Sequence, residues 1–165
     1  MVTMQQAVSA FTNFFDGNNI KYNLINEDGH HAIISRTSIQ SKLRNMTIFV
    51  EFIPDDRNPN TCIRFASYGI PDMSIDENCK AQILDYITRI NYAVNLGHFE
   101  MDVGGCRDLR YKVTHEVDNY MPGDYVITRM LSVPYLVLEK YGDGLLAISM
   151  GFLSGEEAFR QATNK

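Results

Sequence analysis

Apolar residues at Met4, Ala7, Val8, Phe11, Phe14 and Phe15 recur every three to four positions, the stripe of a helix with one face toward a core. Asp16-Gly17-Asn18-Asn19 are turn formers and predict its end. The pattern then changes period. Ile20–Asn26 and His30–Arg36 flank Glu27-Asp28-Gly29, an acidic-glycine turn between short apolar runs, and so predict a hairpin. In 46–53 the residues Met46, Ile48, Val50 and Phe52 alternate with Thr47, Phe49, Glu51 and Ile53. That is a strand with one wholly apolar face and one mixed face. The composition of 54–60 predicts a loop, and Thr61–Ile70 a further strand with Ile63 and Phe65 on one face.

A second helix follows, with Ser74 or Asp76 as its cap and Ile83, Ile87, Ile90 and Val94 along one side. Gly97 stands where a left-handed C-cap would fall. His98–Val103 and Arg107–Val117 then surround Gly104-Gly105-Cys106. With Val103 opposite Arg107, Met101 meets Leu109 and Phe99 meets Tyr111 on one face, and Glu100 meets Arg110 on the other. Both faces are chemically sensible in that register, and a one-residue slip would spoil both. The last third reads as helical from Gly123 or Asp124, with a break expected between Val133 and Pro134, because proline lacks the N–H an interior turn needs. Ser154-Gly155-Glu156-Glu157 has the form of a capping box opening a terminal helix. The expected architecture is α+β: an antiparallel sheet of about five to six strands, joined largely by hairpins, with helices packed on it.

Composition narrows this little. The chain has 165 residues, 18.8 kDa and a net charge of −5, within the size of one domain, and 1–165 is read as one. It is 45% hydrophobic and 21% charged, an ordinary globular balance. The acidic excess argues against a nucleic-acid partner, and the cations Arg107, Arg110 and Lys112 are offset by Glu100, Asp102, Asp108 and Glu116. Met1–Phe15 lacks a signal peptide's basic start, and 125–153 is interrupted by Arg129, Glu139, Lys140 and Asp143, so no membrane segment is expected. Cys62, Cys79 and Cys106 form no C-x-x-C pair, which suits reduced thiols in a cytoplasmic protein.

The helix through Ile90-Asn91 to Leu96-Gly97, then His98-Phe99-Glu100-Met101-Asp102, a turn into Leu109-Arg110-Tyr111, and Pro134, Tyr141-Gly142, Gly151 and Ser154-Gly155-Glu156-Glu157-Ala158 together resemble the YbjN family. These are bacterial proteins labelled as sensory transduction regulators. The resemblance spans somewhat more than the second half of the chain. It implies a fold like that of type III secretion chaperones, an antiparallel sheet decorated with helices that often dimerises. It brings no catalytic residues with it.

No residue set spells out a reaction, a metal site or a cofactor. His30 and His31 point to opposite faces of a strand, and His98 and His115 diverge as well, so three or four ligands do not converge. An enzyme would have to use Cys106 or a histidine without a recognisable nucleophile setting. The last helical region is apolar nearly all round, and such a helix must be buried on more than one side. Either it packs within the domain, or it forms a homodimer or holds a protein or peptide partner. The interface candidates are Tyr135, Leu138, Leu145, Ile148 and Phe152. The expected function is therefore a non-enzymatic protein-binding or regulatory module. The alternative is a small-molecule sensor holding its ligand between sheet and helices near Met101 and Tyr111.

Overall fold

The computed structural model describes residues 1–27, 29–102 and 108–164. Its first helix, α1 (Met4–Gly17), opens on a capping box: the Gln6 amide N–H donates to Thr3 Oγ1 (3.2 Å) and the Thr3 N–H to Gln6 Oε1 (2.9 Å). Strands β1 (Asn23–Glu27), β2 (His30–Ser38), β3 (Asn45–Asp55) and β4 (Asn58–Pro71) form a meander. A 3₁₀ turn (Glu77–Cys79), capped by the Asp76 carboxylate, feeds α2 (Lys80–Ala93). Then come β5 (His98–Met101), β6 (Leu109–Glu116), α3 (Asp124–Ser149) and α4 (Gly155–Thr163). All six strands join one antiparallel sheet in the order β1-β2-β3-β4-β6-β5. The α+β architecture expected from the pattern is the one observed.

The register of the sheet assigns every side chain to a face. One cross-sheet row runs Leu24, Ile33, Val50, Ser67, Val113, and the next Ser35, Ile48, Gly69, Tyr111, Phe99. This face meets the helices. Phe11 of α1 packs edge-on against Phe52 (5.3 Å) and Phe65 (5.1 Å), while α3 crosses β4 and β6. The β5–β6 pairing is the one deduced from side-chain chemistry: Phe99 opposite Tyr111, Glu100 opposite Arg110, Met101 opposite Leu109. The Val103–Arg107 pair and the Gly104-Gly105-Cys106 turn lie outside the described residues.

Three expectations require correction. The loop predicted over 54–60 is a tight turn, since β3 and β4 pair as far as Asp55–Asn58 through a bulge at Pro54. There the Asp55 carboxylate accepts the Arg57 N–H at 2.8 Å, so the turn needs no longer loop. Gly97 does adopt φ +78°, but α2 ends earlier, on extended Val94, and Gly97 belongs to the turn into β5. Most consequentially, Pro134 does not divide the last helical region: α3 runs unbroken through it. The proline ring is buried over Gly69 of β4, where an added Cβ would lie 2.7 Å from Pro134 Cβ. The missing N–H removes a hydrogen bond, and the close contact with a bare glycine backbone helps to offset that loss.

The second half of α3 is anchored from both sides. Glu139 Oε1 accepts the Gln40 N–H (3.1 Å), and Asp143 Oδ1 accepts the Ser41 hydroxyl (3.0 Å) and the Lys42 N–H (2.7 Å). One turn of helix thereby holds the whole β2–β3 connection. Opposite, the Tyr86 hydroxyl of α2 donates to the Tyr141 carbonyl at 2.9 Å. The terminal helix α4 has the predicted capping box, with Glu157 N–H donating to Ser154 Oγ and Ser154 N–H to Glu157 Oε2. At the other edge, Asn91 of α2 brackets Phe99, accepting its N–H (2.6 Å) and donating to its carbonyl (3.0 Å). That pairing covers part of the exposed ladder of β5.

Candidate functional site

The five predicted interface residues separate into two groups. Leu138, Leu145 and Ile148 are 0%, 0% and 1% exposed, so they are closed off inside the chain. Their helix is indeed apolar on several sides, but the sheet, α2 and α4 cover those sides within the same chain. These three residues are core, so of the two alternatives for this helix they follow packing within the domain and are not interface residues. Phe152, in the turn between α3 and α4, is 70% exposed beside Met150 at 57%. Tyr135 is half-buried and its hydroxyl donates to Glu139 Oε1 at 2.8 Å.

The predicted ligand pair is not brought together around one cavity. The Tyr111 ring is buried edge-on against Phe99 (4.9 Å), its hydroxyl donates to the Leu96 carbonyl, and burial pushes its pKa up to about 12. Met101 instead borders a recess of about 360 Å³ at the sheet edge, with Glu100, Asp102, Asp108 and Arg110. The histidines lie apart from one another in role. His98 Nε2 is 3.1 Å from Glu100, and His115 stacks on Phe65 at 6.5 Å. Among the described residues no group of three or more His, Cys, Asp or Glu could hold a metal ion. Cys62 and Cys79 are both buried free thiols, the former pushed up to about 11 by burial; Cys106 lies outside the described residues.

Two features carry more than the predicted residues do. The first is the sheet face that no helix covers among the described residues. Its central row is Asn23, Ile34, Phe49, Tyr68, Lys112, His98, one residue from each strand. Phe49 and Tyr68 lie 6.0 Å apart, and Ile25, Ile53 and Ile70 are half-buried around them. Beside this apolar strip is a neutralised charge cluster. Arg110 rests its guanidinium over the Tyr68 ring at 4.5 Å, and the Tyr68 hydroxyl donates to Glu51 at 3.0 Å. Glu100 accepts from Arg110 (2.8 Å), Lys112 (3.1 Å) and His98. Burial alone would raise the Glu100 carboxyl, but the hydrogen bonds from Lys112, Arg110 and His98 outweigh it and hold it below the ordinary carboxylate range. Burial first, and then the neighbouring Glu51 carboxylate, push Tyr68 up to about 12. Arg64 and Glu116, paired at 2.5 Å, complete the balance.

The second feature is a cavity of about 260 Å³ where the end of α1, strands β2 and β3, and the first half of α3 meet. Phe14, Phe15, Ile20, Ile48 and Leu131 supply its apolar wall, and Ser35, Thr37, Thr128, Ser132 and Tyr135 supply hydroxyls. Both features left a trace in the sequence. Phe49 and Ile53 are apolar on the strand face that alternation marks as mixed. Thr128, Leu131, Ser132 and Tyr135 follow i, i+3, i+4, i+7, one side of a helix turn pair.

No protein-family model, no curated protein and no solved structure matches the chain. Among the described residues no helix is long and apolar enough to cross a membrane.

Proposed function

We propose that this chain is a non-enzymatic binding module that pairs with a second copy of itself through the uncovered face of its sheet. The observation that carries this reading is the row of Ile34 and Phe49, both half-buried, beside the Tyr68 ring that Arg110 covers, on a face against which no described helix packs. An antiparallel sheet can leave one face to water, and such a face normally alternates to polar residues. Here isoleucines and aromatic rings occupy the middle instead, and a contiguous apolar patch rimmed by polar groups marks an interaction site.

Charge favours a second copy as the occupant. The chain as a whole carries −5, so two copies repel weakly over most approaches. On the sheet face, however, Glu51, Glu100 and Glu116 are set among Arg64, Arg110 and Lys112, and the ion pairs there leave little net charge. Face-to-face approach is therefore the least opposed. The resemblance to YbjN proteins, and through it to dimerising secretion chaperones, supports the same reading, with a regulatory role in the cytoplasm as its wider form.

The test is molar mass by light scattering on a size-exclusion column across a dilution series. The expected result is a mass near twice 18.8 kDa for the native chain and near 18.8 kDa for Phe49→Glu and Ile34→Lys, with unchanged far-UV circular dichroism in both variants. A native chain that is monomeric at every concentration overturns the proposal. So does a dimer that both variants leave intact.

A further inference from the structure

The cavity between α1, the sheet and α3 has dimensions and chemistry that do not depend on the pairing of two copies. Its volume of about 260 Å³ exceeds the roughly 150 Å³ that suffices to hold benzene in a dry protein cavity, and is below the several hundred cubic ångströms of a site for a drug-sized or nucleotide ligand. It has room for one ring with a short substituent. Phe15, Ile48 and Leu131 are buried parts of its wall, so core residues form its floor, while exposed Thr128 stands at its open side.

Its hydroxyls are not equivalent. Ser35, itself 3% exposed, donates to the Lys21 carbonyl at 2.7 Å, and Tyr135 donates to Glu139. Both are already satisfied. The side-chain hydroxyls of half-buried Thr37 and Ser132 and of exposed Thr128 have no hydrogen-bond partner among the described residues. Among the described residues no lysine, arginine, histidine, aspartate or glutamate lines the cavity. An ion entering would lose its hydration and find no counter-charge, whereas a neutral molecule would bury its hydrocarbon on the phenylalanine and isoleucine side and use its polar end toward the free hydroxyls.

We propose that this cavity is a binding site for a small neutral amphipathic molecule, a single ring or short branched hydrocarbon bearing one hydroxyl or carbonyl group. The proposal gives Thr37, Thr128 and Ser132 the polar contact and Phe14, Phe15, Ile20, Ile48 and Leu131 the apolar one.

Phenol and cyclohexanol serve as neutral probes and benzoate as their charged counterpart. Each is titrated into the full chain while methyl resonances of Ile20, Ile48 and Leu131 are followed by NMR. The expected result is saturable shifts concentrated on those methyls for phenol and cyclohexanol, with benzoate at least tenfold weaker. Ser132→Leu places a branched side chain in the space and should weaken phenol at least tenfold. Thr128→Leu, on an exposed helical position, repeats the test if Ser132→Leu does not fold. Shifts that fail to saturate, that spread over other methyls, that survive in the filled variant, or that benzoate reproduces equally would each overturn the proposal. Because light scattering reads pairing and these titrations read the cavity, either proposal can fail without the other.

Discussion

The two faces of β3 are built from neighbouring residues and have opposite fates. Met46, Val50 and Phe52 are essentially inaccessible under α1 and α3, with Ile48 nearly so, whereas Thr47, Phe49, Glu51 and Ile53 remain half-exposed on the uncovered side. On the helix side, Phe52 meets Phe11 from another layer as well as Phe65 along the sheet; on the open side, the ring that Phe49 meets among the described residues is Tyr68, along the same sheet. The comparison separates what hydrophobicity does for folding from what it does for association. Apolar area covered within the chain stabilises the fold, and apolar area left half-covered stabilises whatever covers it next.

The sharpest way to break that distinction is to truncate one ring on each face. Phe65, packed between Phe11 and Phe52 at 5.1 and 5.8 Å, leaves a cavity when cut to alanine, and Phe65→Ala should cost about 3–5 kcal/mol. Against a total of roughly 5–15 kcal/mol, that is enough to populate unfolded chain. Phe49→Ala gives up only partial burial and should cost about 1 kcal/mol in the isolated chain. Urea denaturation at protein concentrations low enough to exclude pairing measures both. Equal losses would mean the open face contributes to folding as the covered one does.

The same contrast explains how much of the molecule was legible in its sequence. The order of elements, the β5–β6 register and the Ser154 capping box rest on residues close together in the chain, and local patterns carry them. The unbroken α3 was not legible, because Pro134 is accommodated by Gly69, a residue far away in sequence whose missing side chain makes the space. Likewise the apolar circumference of α3 was visible, but not that α2 and α4 would cover it and turn Leu138, Leu145 and Ile148 into core. The cavity draws its wall from α1, two strands and α3, and no single segment announces such a convergence.

A gentler probe uses the charges of the open face. In the folded chain the Glu100 carboxyl is held below its ordinary range by hydrogen bonds from Lys112, Arg110 and His98 working against burial. A depressed carboxyl binds protons less readily when folded. Its stabilising contribution is therefore full above its unfolded pKa and is lost as pH falls through the lower folded value. Glu100→Gln should cost on the order of 1 kcal/mol at neutral pH, the upper end for a partly solvated ion cluster. The difference between variant and native chain should shrink steadily as the pH is lowered through the carboxylate range. Urea midpoints for the two chains across that range measure it, and a difference that stays constant with pH would show that the cluster acts by shape and not by charge.

The smallest effect belongs to Ser67, in the covered row between Val50 and Val113. Its hydroxyl is buried with no hydrogen-bond partner among the described residues, unlike that of Ser35 on the same face, which donates to the Lys21 carbonyl. Burying such a group without a partner carries a desolvation cost of about 1–3 kcal/mol, while the space an oxygen atom occupies is worth less in packing. Ser67→Ala removes the cost and leaves the β-carbon contacts in place. The expected outcome is a chain as stable as the native one or more stable by up to about 1 kcal/mol, read as a raised melting temperature by calorimetry. A clear loss of stability would mean the hydroxyl has a partner in solution, such as an ordered water, and that the covered face is less dry than its aromatic packing implies.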